Sequence, residues 1–306
     1  MEYFNFYILL SEEIKDGQFY LDEPLQKYTT WKVGGPADIL YRPKNPQECA
    51  KVLQLAREFE VPVTILGVGS NVLIADQGLR GLVILTEGFN DIGWHEDQVT
   101  AGSGILLSYL SRMAAEKGLS GMEFAAGIPG SLGGAVVMNA GAYGYSMDQI
   151  IVSVKTLDME GKTREYCKDE LAFAYRYSIF KRKKELIFEV KLALQSGNTA
   201  EIKEQMNKYL QARREKQPLE LPNAGSVFKN TGQGAGRLIE SIGAKGWRIG
   251  DAQISEKHAN FIVNLGQAKA SEIKKLIREV QKAVKERCGV ELETEVVFLG
   301  FEDNRR

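Results

Sequence analysis

The spacing of hydrophobic residues alternates between helical and strand-like periods along most of the chain. Spacings of three and four residues predict helices over Pro46 to Glu60, Ile105 to Lys117, Thr199 to Lys216, Arg237 to Ile242 and Ala270 to Arg287. Continuous or alternating hydrophobic runs predict strands at VPVTILG, GLVILT, QVTAG, IIVSVKTLDM, LIFEVKLALQ, ANFIVNL and ELETEVVFLG. This mixture predicts an α/β or α+β fold.

A proline-bounded stretch, QPLELPNAG, interrupts this pattern directly after the long polar helix that ends at Lys216. Prolines close together stop helices and are typical of linkers. We therefore place the main domain boundary between residues 217 and 218. No internal repeat or low-complexity segment appears, which argues against a repeat architecture.

Charge and cysteine usage narrow the class of partners. The 306 residues carry 39 Lys and Arg against 40 Asp and Glu, so the chain lacks the broad positive field that attracts nucleic acid or an anionic membrane. An anionic ligand would have to be held by local groups. The three cysteines, Cys49, Cys167 and Cys288, lie far apart without metal-ligand spacing, which favours a reducing cytoplasm and predicts neither a disulfide framework nor a metal site.

The stretch from Ala125 to Met147 contains no charged residue and is long enough to cross a bilayer. Its many glycines and Pro129 would break a helix in lipid, where each backbone group needs an internal partner. The N-terminus also lacks the basic region and small-residue cleavage site of a signal peptide. We therefore expect no membrane association, and the uncharged stretch needs another explanation.

Two glycine-rich loops follow predicted strands and carry the strongest signal for a ligand. The first is Gly67-Val68-Gly69-Ser70-Asn71, and the second is Gly127-Ile128-Pro129-Gly130-Ser131-Leu132-Gly133-Gly134-Ala135, which continues to Gly144. Glycine lets backbone N–H groups approach a phosphate closely. The first loop lacks the third glycine of a Rossmann fingerprint. Each loop alone is also compatible with an ordinary turn, but the pair suggests a dinucleotide held by backbone groups.

Six motifs in a fixed order identify the chain as similar to one enzyme family. They are YTTWKVGGPAD, GVGSNVLIAD, AGIPGSLGGAVVMNAGAYG, YRYSIFK, GSVFKN and ETEVVF, which together extend from Tyr28 to Phe298. This combination resembles the MurB family of bacterial cell-wall synthesis. The glycine loops are shared with flavin enzymes of the vanillyl-alcohol-oxidase type, whereas the later motifs are specific to MurB.

The resemblance implies an α+β fold in which a two-part FAD-binding region of the vanillyl-alcohol-oxidase (PCMH) type precedes a substrate-binding domain. The corresponding parts are residues 1–85, 86–217 and 218–306. It implies that FAD contacts Gly67, Val68, Gly69, Ser70, Asn71, Gly127, Ile128, Pro129, Gly130, Ser131, Gly133, Gly134 and Ala135. The flavin is expected to bind without a covalent link, because the two histidines, His95 and His258, lie outside both loops.

The activity implied by the resemblance is reduction of UDP-N-acetyl-3-O-(1-carboxyvinyl)glucosamine to UDP-N-acetylmuramate, with NADPH as reductant. Hydride from flavin N5 would reach the vinyl carbon, Arg176 and Glu295 would stabilise the enolate, and Ser226 would protonate the adjacent carbon. Glu295 rather than Glu293 occupies the family position. Without the motifs, such residues are more typical of surface packing, turns and solvated strand edges.

Further substrate contacts implied with the motifs are Lys216, Lys229, Asn230 and His258, with a small UDP-sugar as the ligand and no obligate protein partner. The chain lacks the insertion of longer relatives and therefore resembles the shorter, type II form. Two alternatives remain open from sequence. One is an FAD-dependent oxidase or dehydrogenase of the wider class, and the other is a nonenzymatic sugar-nucleotide binder.

Overall fold

A computed structural model describes residues 3–15, 17–230 and 232–301. The helices within these residues are α1 (Phe4–Glu13), α2 (Pro46–Glu58), α3 (Leu107–Glu116), α4 (Leu132–Met138), α5 (Thr199–Lys216), α6 (Ala235–Ser241) and α7 (Ala270–Cys288). The first nine strands are β1 (Gln18–Pro24), β2 (Pro36–Arg42), β3 (Val63–Leu66), β4 (Val72–Ile74), β5 (Leu79–Leu85), β6 (Ile92–His95), β7 (Gln98–Gly102), β8 (Leu119–Ser120) and β9 (Gly141–Ala142). The others are β10 (Tyr145–Ser146), β11 (Ile151–Leu157), β12 (Thr163–Cys167), β13 (Leu186–Ala193), β14 (Gln195–Ser196), β15 (Arg248–Ile249), β16 (Ala252–Ile254), β17 (Ile262–Asn264) and β18 (Val297–Leu299).

The first of two compact units comprises the chain up to Leu21, Ile39–Val68 and Gly81–Arg213. It holds most of a four-stranded sheet in the order β1-β2-β5-β3 and all of a five-stranded sheet in the order β12-β11-β13-β7-β6. Strands β3 and β5 run parallel, whereas the pairs within the five-stranded sheet are antiparallel. One hydrophobic core lies between that sheet and α3 and α4, and another surrounds α2.

The second unit comprises Asp22–Asp38, Gly69–Arg80 and the chain from Arg214 onward. Its three-stranded antiparallel sheet has the order β15-β16-β17, and β18 pairs in parallel with β4. The apolar face of α7 packs into a core that includes the fully buried Trp31. The Trp31 indole N–H donates to the carbonyl of Ile262 at 2.7 Å, so its one polar group is satisfied inside the core.

Helix α2 forms where the sequence predicts it. The side chain of Asn45 accepts from the backbone N–H of Glu48 at 2.8 Å, and Pro46 occupies the first turn. An asparagine cap followed by proline is a favourable helix start, since the first N–H groups have no partner within the helix. Cys49, Val52, Leu53 and Ala56 then share the buried face.

The glycine-rich segment after Gly127 contains a helix that its composition does not predict. Helix α4 begins after Ser131, whose hydroxyl accepts from the Gly134 N–H at 3.4 Å. The Gly133 N–H donates to the carbonyl of Ser103 at 2.8 Å. A Cβ atom on Gly133 would lie 2.9 Å from the Ser103 Cβ, so the glycine is required by close packing against a neighbouring segment.

The mixed helix and strand content confirms an α+β fold. Among the described residues, no helix combines the length and hydrophobicity needed to cross a membrane. The same residues hold no group of three or more side chains suited to bind a metal ion. The three cysteines are free thiols.

Candidate functional site

The first glycine loop begins in the first unit with Gly67, directly after β3. A Cβ atom on Gly67 would collide with the Ser131 hydroxyl and would lie 3.9 Å from the Thr86 Oγ1 atom. Gly67, Ser131 and Thr86 are therefore neighbours although they are far apart in sequence. Within the first unit, the start of the first glycine loop therefore lies beside the middle of the second glycine loop. This is the arrangement expected if the two loops hold one ligand.

From Gly69 onward, the first loop belongs to the second unit. Gly69 has a φ of +61°, and a Cβ atom there would collide with the carbonyl of Tyr28. Glycine is needed at this position for both reasons. Further along the loop, the Asn71 side chain donates to the carbonyl of Glu295 at 3.2 Å, and the Val297 N–H donates to the Asn71 carbonyl at 3.0 Å. Asn71 therefore fixes the backbone on both sides of Val296.

Two buried hydroxyl groups beside the glycine loops have no hydrogen-bond partner among the described residues. Thr86 is 5% exposed and Ser103 is 0% exposed. Buried hydroxyls in native proteins are nearly always hydrogen bonded, so these two are available to a ligand with acceptor atoms. Residues 127–135 contribute no acidic side chain that would repel an anion. The surroundings of both loops therefore fit a ligand rich in acceptors, such as a diphosphate.

Arg213, near the end of α5, packs against the second loop in the first unit. A Cβ atom on Gly127 would lie 2.6 Å from the Arg213 Cδ atom, and the buried Arg213 Nε atom has no partner among the described residues. Burial lowers the pKa of the Arg213 guanidinium. On the previous turn of α5, Tyr209 stacks on Tyr143 with ring centroids 4.0 Å apart, so α5 is attached to both ends of the glycine-rich segment.

Arg176 lies at a tight turn in the first unit. Ala174 and Tyr177 exchange two backbone hydrogen bonds of 3.1 Å, and Arg176 between them has a φ of +55°. Its guanidinium donates to the carbonyl of Gly141 at 3.2 Å and lies 5.0 Å from the Tyr175 ring centroid. The left-handed conformation of a non-glycine residue is costly and is typical of functional positions.

The end of the second glycine segment holds this turn in place. Asn139, which ends α4 in a left-handed conformation, donates from its side chain to the carbonyl of Ala174 at 3.2 Å. Its side-chain oxygen accepts from the Asp148 N–H at 3.0 Å. The end of the second glycine-rich segment therefore also holds the turn that carries Arg176. Two features predicted from sequence, the second glycine loop and Arg176, are thus connected within the first unit.

Ser226 and Glu295 lie on neighbouring segments of the second unit. The Glu295 N–H donates to the Val227 carbonyl at 2.8 Å, and the Lys229 N–H donates to the Glu293 carbonyl at 2.9 Å. Phe228 and Thr294 form an antiparallel bridge between the same segments. Both Ser226 and Glu295 are half-buried. The structure therefore places the segment that carries the predicted proton donor next to the segment that carries the predicted glutamate, and backbone hydrogen bonds join the two segments.

A glycine at position 225 allows the chain to turn into the Ser226 segment, since its φ is +72°. The Gly225 N–H donates to the side-chain oxygen of Asn223 at 3.0 Å. The Asn223 amide nitrogen donates in turn to the carbonyls of Pro218 and Leu221. The proline-bounded stretch is thus an ordered loop, and its own side chains fix the entry to Ser226.

The four predicted substrate contacts have different surroundings. Lys216 is exposed at the end of α5, whereas the Lys229 ammonium pairs with Glu293. The Asn230 side chain accepts from the Ala235 N–H at 3.2 Å. Burial lowers the pKa of His258, and its Nδ1 accepts from the Asn260 N–H at 3.2 Å, which leaves Nε2 as the protonated nitrogen of a neutral ring.

Sequence reasoning missed Thr86, Ser103 and Arg213 near the loops. Thr86 and Ser103 each stand at the end of a correctly predicted strand, GLVILT and QVTAG. A hydroxyl residue directly after a buried strand is a weak signal on its own. Arg213 lies in a helix with many charged residues, where no spacing distinguishes it from Arg214. Only their tertiary contacts distinguish Thr86, Ser103 and Arg213 from the residues next to them in sequence.

Two protein-family models match consecutive parts of the chain. A model described as "FAD binding domain" matches residues 37–166. A second, described as "UDP-N-acetylenolpyruvoylglucosamine reductase, C-terminal domain", matches residues 217–299. The matches confirm the expected order of an FAD-binding region followed by a C-terminal domain.

Relatives named UDP-N-acetylenolpyruvoylglucosamine reductase align over nearly the whole chain. The relative from Heliobacterium modesticaldum is 46% identical over 287 residues, covering 93% of this chain and 91% of that protein. The relative from Clostridium perfringens strain SM101 is 44% identical over 300 residues, covering 98% and 99%. The crystal structure of the MurB reductase from Thermus caldophilus superposes with a TM-score of 0.79 at 38% identity, covering 92% of this chain and 98% of that one. The chain therefore belongs to the UDP-N-acetylenolpyruvoylglucosamine reductase (MurB) family.

Proposed function

We propose that this chain is an NADPH-dependent flavoenzyme that reduces the enolpyruvyl group of UDP-N-acetylenolpyruvoylglucosamine to give UDP-N-acetylmuramate, a peptidoglycan precursor. The observation that carries the proposal is the 46% identity to a reductase of that name over 93% of the chain. The positions of Arg176, Ser226 and Glu295 within the family motifs support the same reaction and argue against a nonenzymatic binder.

FAD fits the glycine loops of this chain. Bound FAD supplies the hydride chemistry that the reduction needs. Backbone N–H groups of the loops and the buried hydroxyls of Thr86 and Ser103 offer donors to its diphosphate and ribityl oxygens. Glycines at positions 67 and 133 let the loops pack closely on Ser131 and Ser103, since a Cβ atom at either position would collide with those residues. In this proposal the loops bind and orient the cofactor, and no covalent link is made.

Arg176 binds the substrate carboxylate in this proposal. Hydride addition to the vinyl carbon places negative charge on the adjacent carbon and the carboxylate, so a cation at the carboxylate stabilises the transition state more than the ground state. A planar guanidinium can donate two parallel hydrogen bonds to a carboxylate. The tight turn and the bond to Gly141 limit the orientations that this guanidinium can adopt.

Ser226 donates the proton to the carbon next to the carboxylate, and Glu295 assists at the same centre. A serine hydroxyl is a weak acid, so it can act only if it is aligned with a strongly basic carbon. Support for such alignment comes from the backbone hydrogen bonds between the Val227 and Glu295 segments. The hydroxyl proton moves to carbon, and solvent restores it after product leaves.

The sugar nucleotide would be held by groups of the second unit. His258, neutral with a protonated Nε2, is suited to donate to a phosphate or carbonyl oxygen. Lys216 is the more available cation for the diphosphate, because the Lys229 ammonium already pairs with Glu293. We also propose that the enzyme acts in the cytoplasm without a nucleic-acid or obligate protein partner, in keeping with its free thiols and balanced charge.

An anaerobic two-step experiment tests the proposed function. NADPH added to the FAD-loaded protein should bleach the oxidised flavin, and UDP-N-acetylenolpyruvoylglucosamine added second should restore it with one UDP-N-acetylmuramate formed per flavin. Purified protein unable to bind FAD would overturn the proposal. Turnover of simple alcohols, without reoxidation by the enolpyruvyl sugar nucleotide, would instead identify an oxidase or dehydrogenase of the wider class.

The unpartnered hydroxyls allow a test of the cofactor site by itself. Thr86→Val and Ser103→Ala are each expected to raise the FAD dissociation constant by about 10- to 100-fold, since a hydrogen bond to a charged group contributes about 1.5–3 kcal/mol. The apoprotein should be as stable as wild type or slightly more so, because each change removes an unsatisfied buried hydroxyl. Flavin fluorescence titration and thermal unfolding of the apoprotein measure the two effects.

Ser111→Ala is the matched control for these variants. Ser111 is also buried in the first unit, but its hydroxyl donates to the carbonyl of Met122 at 2.7 Å. Its loss should lower the unfolding temperature and leave FAD affinity unchanged. Wild-type FAD affinity in both Thr86→Val and Ser103→Ala would show that these hydroxyls do not contact the cofactor.

A further inference from the structure

Asn260 uses its whole side-chain amide on one residue of the Ser226 segment. Its Oδ1 accepts from the Phe228 N–H at 2.9 Å, and its Nδ2 donates to the Phe228 carbonyl at 2.9 Å. The residue is 1% exposed. A primary amide that pairs with both backbone groups of one residue imitates a neighbouring β-strand. The Asn260 side chain therefore takes the place that a strand would otherwise fill beside Phe228.

The backbone of Asn260 also bonds to the residue before Phe228, which is Val227. The Val227 N–H donates to the Asn260 carbonyl at 2.9 Å, while on its other side the Val227 carbonyl accepts from the Glu295 N–H at 2.8 Å. The two residues that follow Ser226 are thus held from both sides. One of these sides is the segment of Glu295, and the other depends on Asn260 alone for three hydrogen bonds.

The loop that carries Asn260 is itself closed by hydrogen bonds. The Phe261 N–H donates to the His258 carbonyl at 3.0 Å, and the Ser255 N–H donates to the Phe261 carbonyl at 2.9 Å. The Asn260 N–H donates to the His258 ring at 3.2 Å. These bonds hold Asn260 in a fixed position beside Phe228. A residue can orient another only if its own position is fixed.

We propose that Asn260 is a positioning residue for Ser226, which fixes the direction of the serine hydroxyl through Val227 and Phe228. The inference rests on the proposed function, in which Ser226 donates a proton to carbon. A weak acid contributes only when it is aligned with the reacting atom. A misplacement of about 1 Å can cost about 100-fold in rate. Asn260 acts on the protonation of substrate and has no part in the reduction of FAD by NADPH.

The test measures the two half-reactions separately in Asn260→Ala and Asn260→Asp. Reoxidation of reduced FAD by UDP-N-acetylenolpyruvoylglucosamine should slow by about 30- to 100-fold in Asn260→Ala. It should slow in Asn260→Asp as well, because a carboxylate keeps the acceptor for the Phe228 N–H but sets a second acceptor against the Phe228 carbonyl in place of the amide donor. FAD reduction by NADPH should stay within about twofold of wild type, and the effect should fall on kcat rather than KM.

Asn264→Ala is the matched control. Asn264 is 2% exposed, and its side chain bonds to the Trp31 carbonyl and to the N–H groups of Gly266 and Ala268. It is a buried asparagine of the same unit whose side-chain bonds do not involve the Ser226 segment. Its loss should lower the unfolding temperature by a similar amount, while reoxidation of the flavin should change by less than about threefold.

Double variants with Ser226→Ala decide whether Asn260 acts through the serine. The variant that lacks both groups should reoxidise no more slowly than Ser226→Ala alone, because a positioning residue has no effect once its target is gone. Independent, multiplicative losses in the double variant would overturn the inference, as would failure of every Asn260 variant to fold while Asn264→Ala folds. If wild type itself is not reoxidised by the enolpyruvyl sugar nucleotide, the proposed function fails, and the inference fails with it.

Discussion

Replacing Ser226 with alanine is expected to leave reduction of FAD by NADPH within about twofold of wild type and to slow reduction of the enolpyruvyl group by about 10²- to 10⁴-fold, the usual contribution of a positioned general acid. The substitution removes one oxygen and keeps the Cβ atom, so the turn at Gly225 and the backbone bonds of Val227 should persist. The loss should appear in kcat, since the hydroxyl acts in the transition state more than in binding.

The measurement is anaerobic stopped-flow absorbance of the flavin, with NADPH in the first step and the sugar nucleotide in the second. Ser241→Ala serves as the control, because the Ser241 hydroxyl donates to the Leu238 carbonyl within α6 and has no role in the proposed chemistry. Equal losses in both half-reactions of Ser226→Ala would remove Ser226 from the role of proton donor, as would a wild-type rate in the second step.

Helices were the best predicted part of this fold. The sequence places a helix over Thr199 to Lys216, and α5 has those bounds. The amphipathic pattern of α7 is also reproduced within one residue at its end. These helices are long, and their apolar positions repeat with one period, so local pattern and tertiary burial agree.

The C-terminal strands are much shorter than their hydrophobic runs suggest. The run ANFIVNL gives only Ile262–Asn264, and ELETEVVFLG gives only Val297–Leu299. The residues that precede each strand bond irregularly to the Ser226 segment. Asn260 does so largely through its side chain, and Glu295 through its backbone N–H at 2.8 Å. Period-two patterning cannot distinguish such contacts from a regular ladder.

Helix α4 was missed for a different reason. Glycines at positions 133 and 134 have poor helix propensity, so the segment looks like a loop. Tertiary packing of Gly133 on Ser103 overrides that preference. Ser103 and Thr86 could not be predicted as candidate donors to a ligand, because only the fold places Ser103 beside Gly133 and Thr86 beside Gly67. Arg176, Ser226 and Glu295, in contrast, were predicted from motif order by resemblance, and their roles stay predictions.

Replacing Arg176 with methionine is expected to lower kcat/KM for the enolpyruvyl sugar nucleotide by about 10²- to 10³-fold, the range seen when one donor to a developing oxyanion is removed. Arg176→Lys keeps the charge but loses the planar fork and should fall between methionine and wild type. Reduction of FAD by NADPH should change by less than about threefold, since no carboxylate is bound in that step.

Arg182→Met provides the control for charge and aromatic stacking. The Arg182 guanidinium lies 5.8 Å from the Tyr177 ring centroid, as that of Arg176 lies 5.0 Å from Tyr175. It occupies an exposed position shortly after the same turn. If Arg176 binds the carboxylate through directed hydrogen bonds, Arg182→Met should retain wild-type kcat/KM to within about twofold, because an exposed substitution away from the site has little effect. Similar losses in both variants would mean that only the local positive charge matters, and that the left-handed turn at Arg176 serves the fold instead of the substrate.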